Sequence, residues 1–181
     1  KTMPRQPISI EHFLARPVNI FRNQWLLLTS GSLEAGDFNC MTISWGALGE
    51  VWNRPLAQVF VRPVRYTYQF MEKYPTFTLC VFPFEYHQTL NFLGSHSGRD
   101  ENKLAASGLT PEKASLVDAP VYAEAELAIE CRKLYWQDLD PAHFLLPEIE
   151  KAYPNKDYHR IYFGEIVAVT GVEDWRLKIA D

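Results

Sequence analysis

The stretch Y-A-E-A-E-L-A-I-E-C-R-K-L-Y, residues 122–135, carries the longest two-residue period in the chain. Ala123, Ala125, Leu127, Ile129 and Cys131 fall on one side and Glu124, Glu126, Glu130 and Arg132 on the other. That alternation predicts a long strand with one face in the core and one in water. Other strand signals surround it. Residues 25–30 form an apolar run closed by Gly31 and a polar turn at 34–37, residues 38–48 alternate imperfectly, and Asn53, Arg54 and Pro55 mark a turn before 56–61. Residues 76–82 read as a strand covered on both faces, and 160–172 as the closing strand. Helical spacing is confined to short pieces. Phe70 and Tyr74 lie four apart in 66–74, which Pro75 ends, and Gly94 closes a helix over 85–93. Residues 100–107 form a helix with Asp100 as N-cap and Gly108 just past its end, and 141–152 look helical despite Pro147. Six or more mostly antiparallel strands with three or four short helices predict an α+β domain on an antiparallel barrel, with residues 1–181 as a single unit.

Composition narrows the function. The chain has 181 residues, 18 Lys+Arg against 22 Asp+Glu, a net charge of −4, and 47% hydrophobic residues, which excludes a natively disordered protein. A mild acidic excess without a basic run offers no footprint for nucleic acid. No stretch reaches the roughly 18–20 apolar residues of a membrane helix, residues 1–10 contain no apolar run of signal type, and the chain reads as cytosolic. Cys40, Cys80 and Cys131 are widely spaced, with no C-x-x-C pair, and are expected as small buried hydrophobes rather than disulfides or zinc ligands. His12, His87, His96 and His143 lack metal-ligand spacing, so no metal site is expected.

Nucleotide-loop and hydrolase motifs are absent. Three segments nevertheless gather polar groups at predicted strand ends, where a barrel places its pocket. In Asn39-Cys40-Met41-Thr42-Ile43-Ser44-Trp45, Thr42 and Ser44 share a strand face, and their hydroxyls with the neighbouring amides suit a flat, heteroatom-rich ring. An isolated T-x-S is equally what a solvent-facing strand presents. Arg62 and Arg65 bracket a strand-to-helix corner with Thr67 in the first helical turn, a phosphate cradle or a pair of solvated arginines. Ser97-Gly98-Arg99-Asp100-Glu101-Asn102-Lys103 repeats the design, with Lys103 one helical turn beyond Arg99 and Asp100 reserved for the cap and an arginine partner. Two basic helix starts beside a polar strand face favour a phosphorylated cofactor over either segment alone. His159, near-neutral in titration and beside the last strand, is the candidate catalytic group, though a lone histidine is often structural. Trp45 and Trp52 suit ring stacking, core packing or a subunit interface.

Taken in order, N-C-M-T-I-S-W-G from Asn39, P-L-A-Q-V-F-V-R-P-V-R-Y-T-Y from Pro55, S-G-R-D-E-N-K from Ser97 and H-R-I-Y-F-G-E-I from His159 resemble the flavin reductase-like family of FMN-binding split barrels, flavoredoxin-like branch. The resemblance implies a homodimer in which a six-stranded Greek-key barrel holds FMN non-covalently near the subunit interface. It places Asn39, Cys40, Met41, Thr42 and Ser44 along the flavin ring and ribityl chain. Arg62, Arg65, Thr67, Ser97, Gly98, Arg99 and Lys103 fall at the phosphate end or order its loops, and His159 at the reactive face. The activity implied is NAD(P)H-dependent reduction of FMN, with electrons passed to an unidentified acceptor and no protein nucleophile required. Two alternatives stay open: a flavoredoxin-type electron carrier with little NAD(P)H turnover, and a split-barrel module binding another planar or phosphorylated ligand. The segment 141–154 is distinctive and bears on substrate access.

Overall fold

The computed structural model describes residues 4–175, so residues 1–3 and 176–181 lie outside the described residues. Ten strands run in chain order as β1 (Gln6–Ile8), β2 (Leu26–Ser32), β3 (Asp37–Ile43), β4 (Gly46–Val51), β5 (Arg54–Val61), β6 (Thr76–Val81), β7 (Pro111–Glu112), β8 (Val121–Tyr122), β9 (Leu127–Asp138) and β10 (Arg160–Gly171). Helices are short: α1 (Pro17–Asn19), α2 (Tyr66–Lys73), α3 (His87–Ser95) and α4 (Lys103–Ser107). The main sheet is antiparallel in the order β3-β2-β6-β9-β10-β5-β4, with β1 added along β10, while β7 and β8 pair separately. This path has one strand more than the six that the resemblance implies.

Connectivity dictates the curl. β3 and β4 lie at opposite ends of the path, yet only Ser44 and Trp45 separate them. Three residue steps reach about 10 Å, so the sheet must roll until its two edges meet at that corner. The result is a barrel split between β3 and β4. Alternation along β2, β6 and β9 fills its interior with Leu26, Leu28, Phe77, Leu79, Val81, Leu127, Ile129 and Cys131. The opposite faces of these strands pack a second cluster, in which Leu27, Cys80, Phe82 and Ala128 meet Leu90 and Leu93 of α3 and Leu109, Val117 and Tyr122 of the following segment. At Gly164 a β-carbon would lie 2.5 Å from the Phe77 ring, so this interior ring sits where β10 has no side chain and its pairing with β9 is irregular.

That second cluster corrects the reading of residues 122–135. The strand begins at Leu127, not Tyr122, and the glutamate face is not in water: Glu124, Glu126 and Glu130 are all buried. Glu130 accepts from the Ser115 and Leu116 N–H groups at 2.8 and 2.7 Å, Glu124 from the Thr110 N–H at 3.0 Å, and Glu126 from Gln24 Nε2 at 3.4 Å. Alternation records that the two faces differ in chemistry; it does not say that solvent covers the polar one. A loop with free backbone amides does so here. The strand predicted over 38–48 breaks at Ser44 and Trp45 into β3 and β4, which lie on opposite edges. α3 runs through Gly94 to Ser95, where the missing side chain lets the helix approach Thr42. α4 starts at Lys103, and its cap is Asn102, whose Oδ1 accepts from the Ala105 N–H at 3.2 Å, not Asp100. Gly108 follows it with φ +76°. Residues 141–152 form two 3-10 turns, Pro141–His143 and Pro147–Ala152, each opened by a proline, instead of one α-helix. All three cysteines are free and buried as expected, and burial pushes the Cys80 thiol up to about 12.

Candidate functional site

The split between β3 and β4 is where the predicted residues gather. β3 is an edge strand hydrogen-bonded only to β2, so half of its backbone groups lack a sheet partner and face the gap. Around this edge runs a trough. One part, about 260 Å³, is lined by Asn39, Met41, Arg65, Thr67, Ser97, Gly98, Arg99 and Lys103 together with the C-terminal end of α3. The next, about 240 Å³, is lined by Met41 through Trp45, Phe60, Arg62, Arg65 and His159. Met41 and Arg65 belong to both, which makes the two parts continuous, and together they fall within the roughly 300–1,000 Å³ of small-molecule sites. A further cleft of about 680 Å³ lies beside Tyr66, Phe70, Asn102 and Leu109, and shares Asn39, Gly98 and Lys103 with the first part.

At the basic end, α2 starts directly after Arg65, whose backbone is extended as its N-cap. Thr67 Oγ1 accepts from Asn39 Nδ2 at 2.8 Å, so strand and helix are fixed together. Arg65 and Arg99 are exposed and loosely held, donating to the Gly94 and Val64 carbonyls at 3.4 and 3.2 Å, with the Arg99 guanidinium 5.3 Å from the Tyr66 ring centre. Gly98 presses against Asn39: a β-carbon there would lie 2.3 Å from its Oδ1. Ser97 Oγ accepts from the Arg99 N–H at 3.2 Å. Lys103 differs from the other cations. It is buried, donates to the Leu93 and His96 carbonyls at 2.7 and 3.0 Å, and so caps the C-terminus of α3 with two of its three N–H groups. Burial, then the nearby Arg65 charge, lowers its pKa. Arg99 and Lys103 do not share a helix turn, because α4 begins only at Lys103.

The other end is more tightly built. His159 is 8% exposed, with its ring 4.9 Å from Trp45 and 6.3 Å from Phe60. Its Nδ1 lies 2.7 Å from the Tyr153 hydroxyl. Arg62 pairs with Asp157 at 2.9 Å, donates to the Ala152 carbonyl at 2.7 Å and stands over the Tyr153 ring at 4.9 Å. Burial, and next the Arg62 charge, lower the His159 pKa to about 4, so the imidazole is neutral near pH 7. Thr42 Oγ1 donates to the Leu90 carbonyl at 2.6 Å and ties α3 to β3. Ser44 lies beyond the end of β3 and is exposed, so Thr42 and Ser44 do not share a strand face as the spacing had predicted. Cys40, expected along the ring, lines the separate 680 Å³ cleft and neither part of the trough; its side chain joins the outer cluster with Leu27 and Cys80, and burial raises the thiol pKa. Sequence reasoning missed Tyr153: its segment looked like an interrupted helix, and nothing in the pattern turns a tyrosine six residues upstream towards His159.

Residues 19–177 match the family model of the flavin reductase like domain. The chain belongs to that family. Solved structures of the same fold include an FMN-binding domain of a flavin reductases-like enzyme from Shewanella baltica (18% identity, TM-score 0.67, covering 94% of this chain and 78% of that one). The flavoredoxin of Desulfovibrio vulgaris superposes with a TM-score of 0.65 at 22% identity, covering 93% and 78%. An NADH:FAD oxidoreductase of Streptomyces globisporus gives 0.61 at 17% identity, covering 82% and 75%. Among curated proteins none matches the sequence. Family membership makes the protein a flavin-related oxidoreductase, and the split-barrel fold is shared with these structures. Among the described residues no helix is long and apolar enough to cross a membrane.

Proposed function

We propose that the protein binds FMN non-covalently in the trough along β3 and works as an NAD(P)H-dependent flavin reductase that passes electrons to a separate acceptor. The observation that carries this reading is the continuity of a cation-rich, hydroxyl-rich corner at the start of α2 with an aromatic corner at His159, both on one free strand edge. The donor set fits a phosphate monoester: the Arg65 guanidinium, the third N–H of Lys103, the Thr67 and Ser97 hydroxyls and the unpaired amides of the first turn of α2. Gly98 lets backbone approach, and Arg99 closes the loop over Tyr66. The unpaired edge of β3 and the Ser44 that follows it offer amides and carbonyls to the rim of a planar ring, whose ribityl side would pass Asn39.

When bound, FMN supplies hydride acceptance and return of electrons singly or in pairs. The chain's own residues have narrower tasks. Arg65, Lys103 and Thr67 fix one end, β3 fixes the plane, Arg62 holds the far wall, and Trp45 and Phe60 limit water around His159. His159, neutral at pH 7, donates or accepts a hydrogen bond and brings no positive charge to the site.

A second copy of the chain is the partner that best fits the outer surface, where Trp52 of the β4–β5 turn and Tyr135 of β9 are exposed side by side with their rings 6.0 Å apart. The deciding experiment is an absorbance spectrum of the protein with FMN, before and after anaerobic addition of NADH and then NADPH. Bound flavin bleached by either nucleotide is the expected result. Bound flavin that neither bleaches would make the protein an electron carrier, and no flavin binding would leave the fold without this function.

A further inference from the structure

The segment joining β9 to β10 packs against His159, which lines one end of the trough. Tyr153 follows the 3-10 turn Pro147–Ala152 and is buried. Its hydroxyl lies 2.7 Å from His159 Nδ1 in the buried interior of the segment. The phenol keeps its proton, since burial raises its pKa. Nδ1 is the hydroxyl's one hydrogen-bond partner among the described residues, so a proton on Nδ1 would leave a buried phenol O–H with no acceptor.

Tyr153 is itself anchored. Arg62 covers one face of its ring at 4.9 Å and holds the chain on either side through the Ala152 carbonyl and the Asp157 carboxylate. The Tyr158 and Phe144 rings pack against it at 5.0 and 6.0 Å. Such a clamp exceeds what a surface connection needs for its own order.

We propose that Tyr153 is a positioning residue that locks His159 as the Nε2–H tautomer, so the segment from Pro147 to Asp157 presents the site with a fixed, neutral hydrogen-bond donor. Nδ1 is taken, and Nε2 is the nitrogen left for a ligand. Its complement is an acceptor atom, a carbonyl oxygen or an unprotonated ring nitrogen, of the molecule seated beside Trp45 and Phe60. Arg62 and Arg65 face the imidazole and disfavour its charged form, Asp157 favours it, and Trp45, Phe60 and Tyr153 contribute uncharged surface. With the charged form suppressed above about pH 4, His159 orients its ligand rather than protonating it. The consequence for nicotinamide turnover rests on the flavin reading above; the tautomer itself does not.

The test compares the full chain with Tyr153→Phe, which keeps the ring and removes only the hydroxyl. Two-bond nitrogen–proton NMR of the ligand-free protein reads the tautomer, and loss of one histidine signal set in His159→Gln assigns it. The expected wild-type ring carries its proton on Nε2. In Tyr153→Phe both tautomers are expected, with the titration midpoint raised by about 0.7 pH units, the equivalent of one neutral hydrogen bond. A wild-type ring protonated on Nδ1, or ring shifts and titration unchanged in Tyr153→Phe, overturns the proposal. With FMN and NAD(P)H the variant is expected to lower the reduction rate about fivefold at unchanged FMN affinity. The NMR arm decides the proposal even if the protein reduces no flavin, so the two readings fail separately.

Discussion

The two ends of the trough are built by opposite rules. At the basic end, Arg65 and Arg99 are exposed and rest on single carbonyls at 3.4 and 3.2 Å; their guanidinium groups are free to move onto an anion. At the His159 end, Arg62 has an ion pair, a backbone carbonyl and an aromatic face, and His159 is buried against Tyr153. Mobile cations suit capture, because a charged hydrogen bond made on binding replaces only a weak resting contact. Fixed neutral groups suit orientation, because nothing there has to rearrange when the reacting atoms arrive. The proposed function thereby assigns affinity and chemistry to different ends, and Lys103, a buried cation at the mobile end, is the residue that strains the division.

The largest effect expected from this contrast is on pH-dependent stability, and it belongs to the His159 end. The folded-state pKa of about 4 lies below the ordinary 6.5, so the unfolded chain binds the proton first. Stability contributed by the neutral imidazole is complete above pH 6.5 and falls as the pH drops towards 4, by up to about 3 kcal/mol. Denaturant unfolding from pH 7 to pH 4 should show this slope, and His159→Gln should flatten it. An equal slope in the variant would place the buried titrating group elsewhere and dissolve the contrast. Next in size is the basic end: Arg65→Ala should weaken FMN binding by about 1.5–3 kcal/mol, the range for hydrogen bonds to charged groups, while leaving the pH slope intact. Titration of flavin fluorescence checks it, and unchanged affinity would remove Arg65 from the phosphate site. His159→Ala should do the reverse, slowing flavin reduction by NAD(P)H more than it weakens FMN binding; equal losses would make the histidine purely structural.

How far the sequence foretells this arrangement follows the same line. The periodic elements were legible: α2 from the Phe70 and Tyr74 spacing, β6 from its apolar run, β2 with its closing turn, and β10 as the last strand. Contacts that depend on how elements meet were not. Nothing local says that residues 109–125 would lay backbone amides over Glu124 and Glu130, so an amphipathic strand was expected where a doubly covered one stands. The imperfect alternation over 38–48 held the signal for the Ser44–Trp45 break, but only the sheet order reveals that it is the split of the barrel. Around the trough, the local motifs name Arg65, Thr67, Ser97, Gly98 and Lys103, which line one cavity. They could not show that Lys103 caps α3, or that Tyr153 reaches His159, because both depend on side-chain direction across elements.

Lys103 sharpens the comparison at smaller amplitude. Lys103→Met keeps the length of the side chain and removes the donor to the Leu93 and His96 carbonyls. It should cost about 1–3 kcal/mol of stability, as expected when buried acceptors lose their partner, and weaken FMN binding as well. Loss of stability with unchanged affinity would make Lys103 wholly a helix cap and confine phosphate recognition to movable groups. The smallest effect is expected for Arg99→Ala. Arg99 is exposed and lies over Tyr66 at 5.3 Å, a contact of about 0.5–1 kcal/mol at the surface. If Arg99 only orders the loop, FMN affinity should fall about threefold and the loss should shrink in high salt no more than that of wild type. A loss as large as that of Arg65→Ala would mean that both guanidinium groups swing onto the phosphate, and the mobile end would then hold its ligand with two forks instead of one.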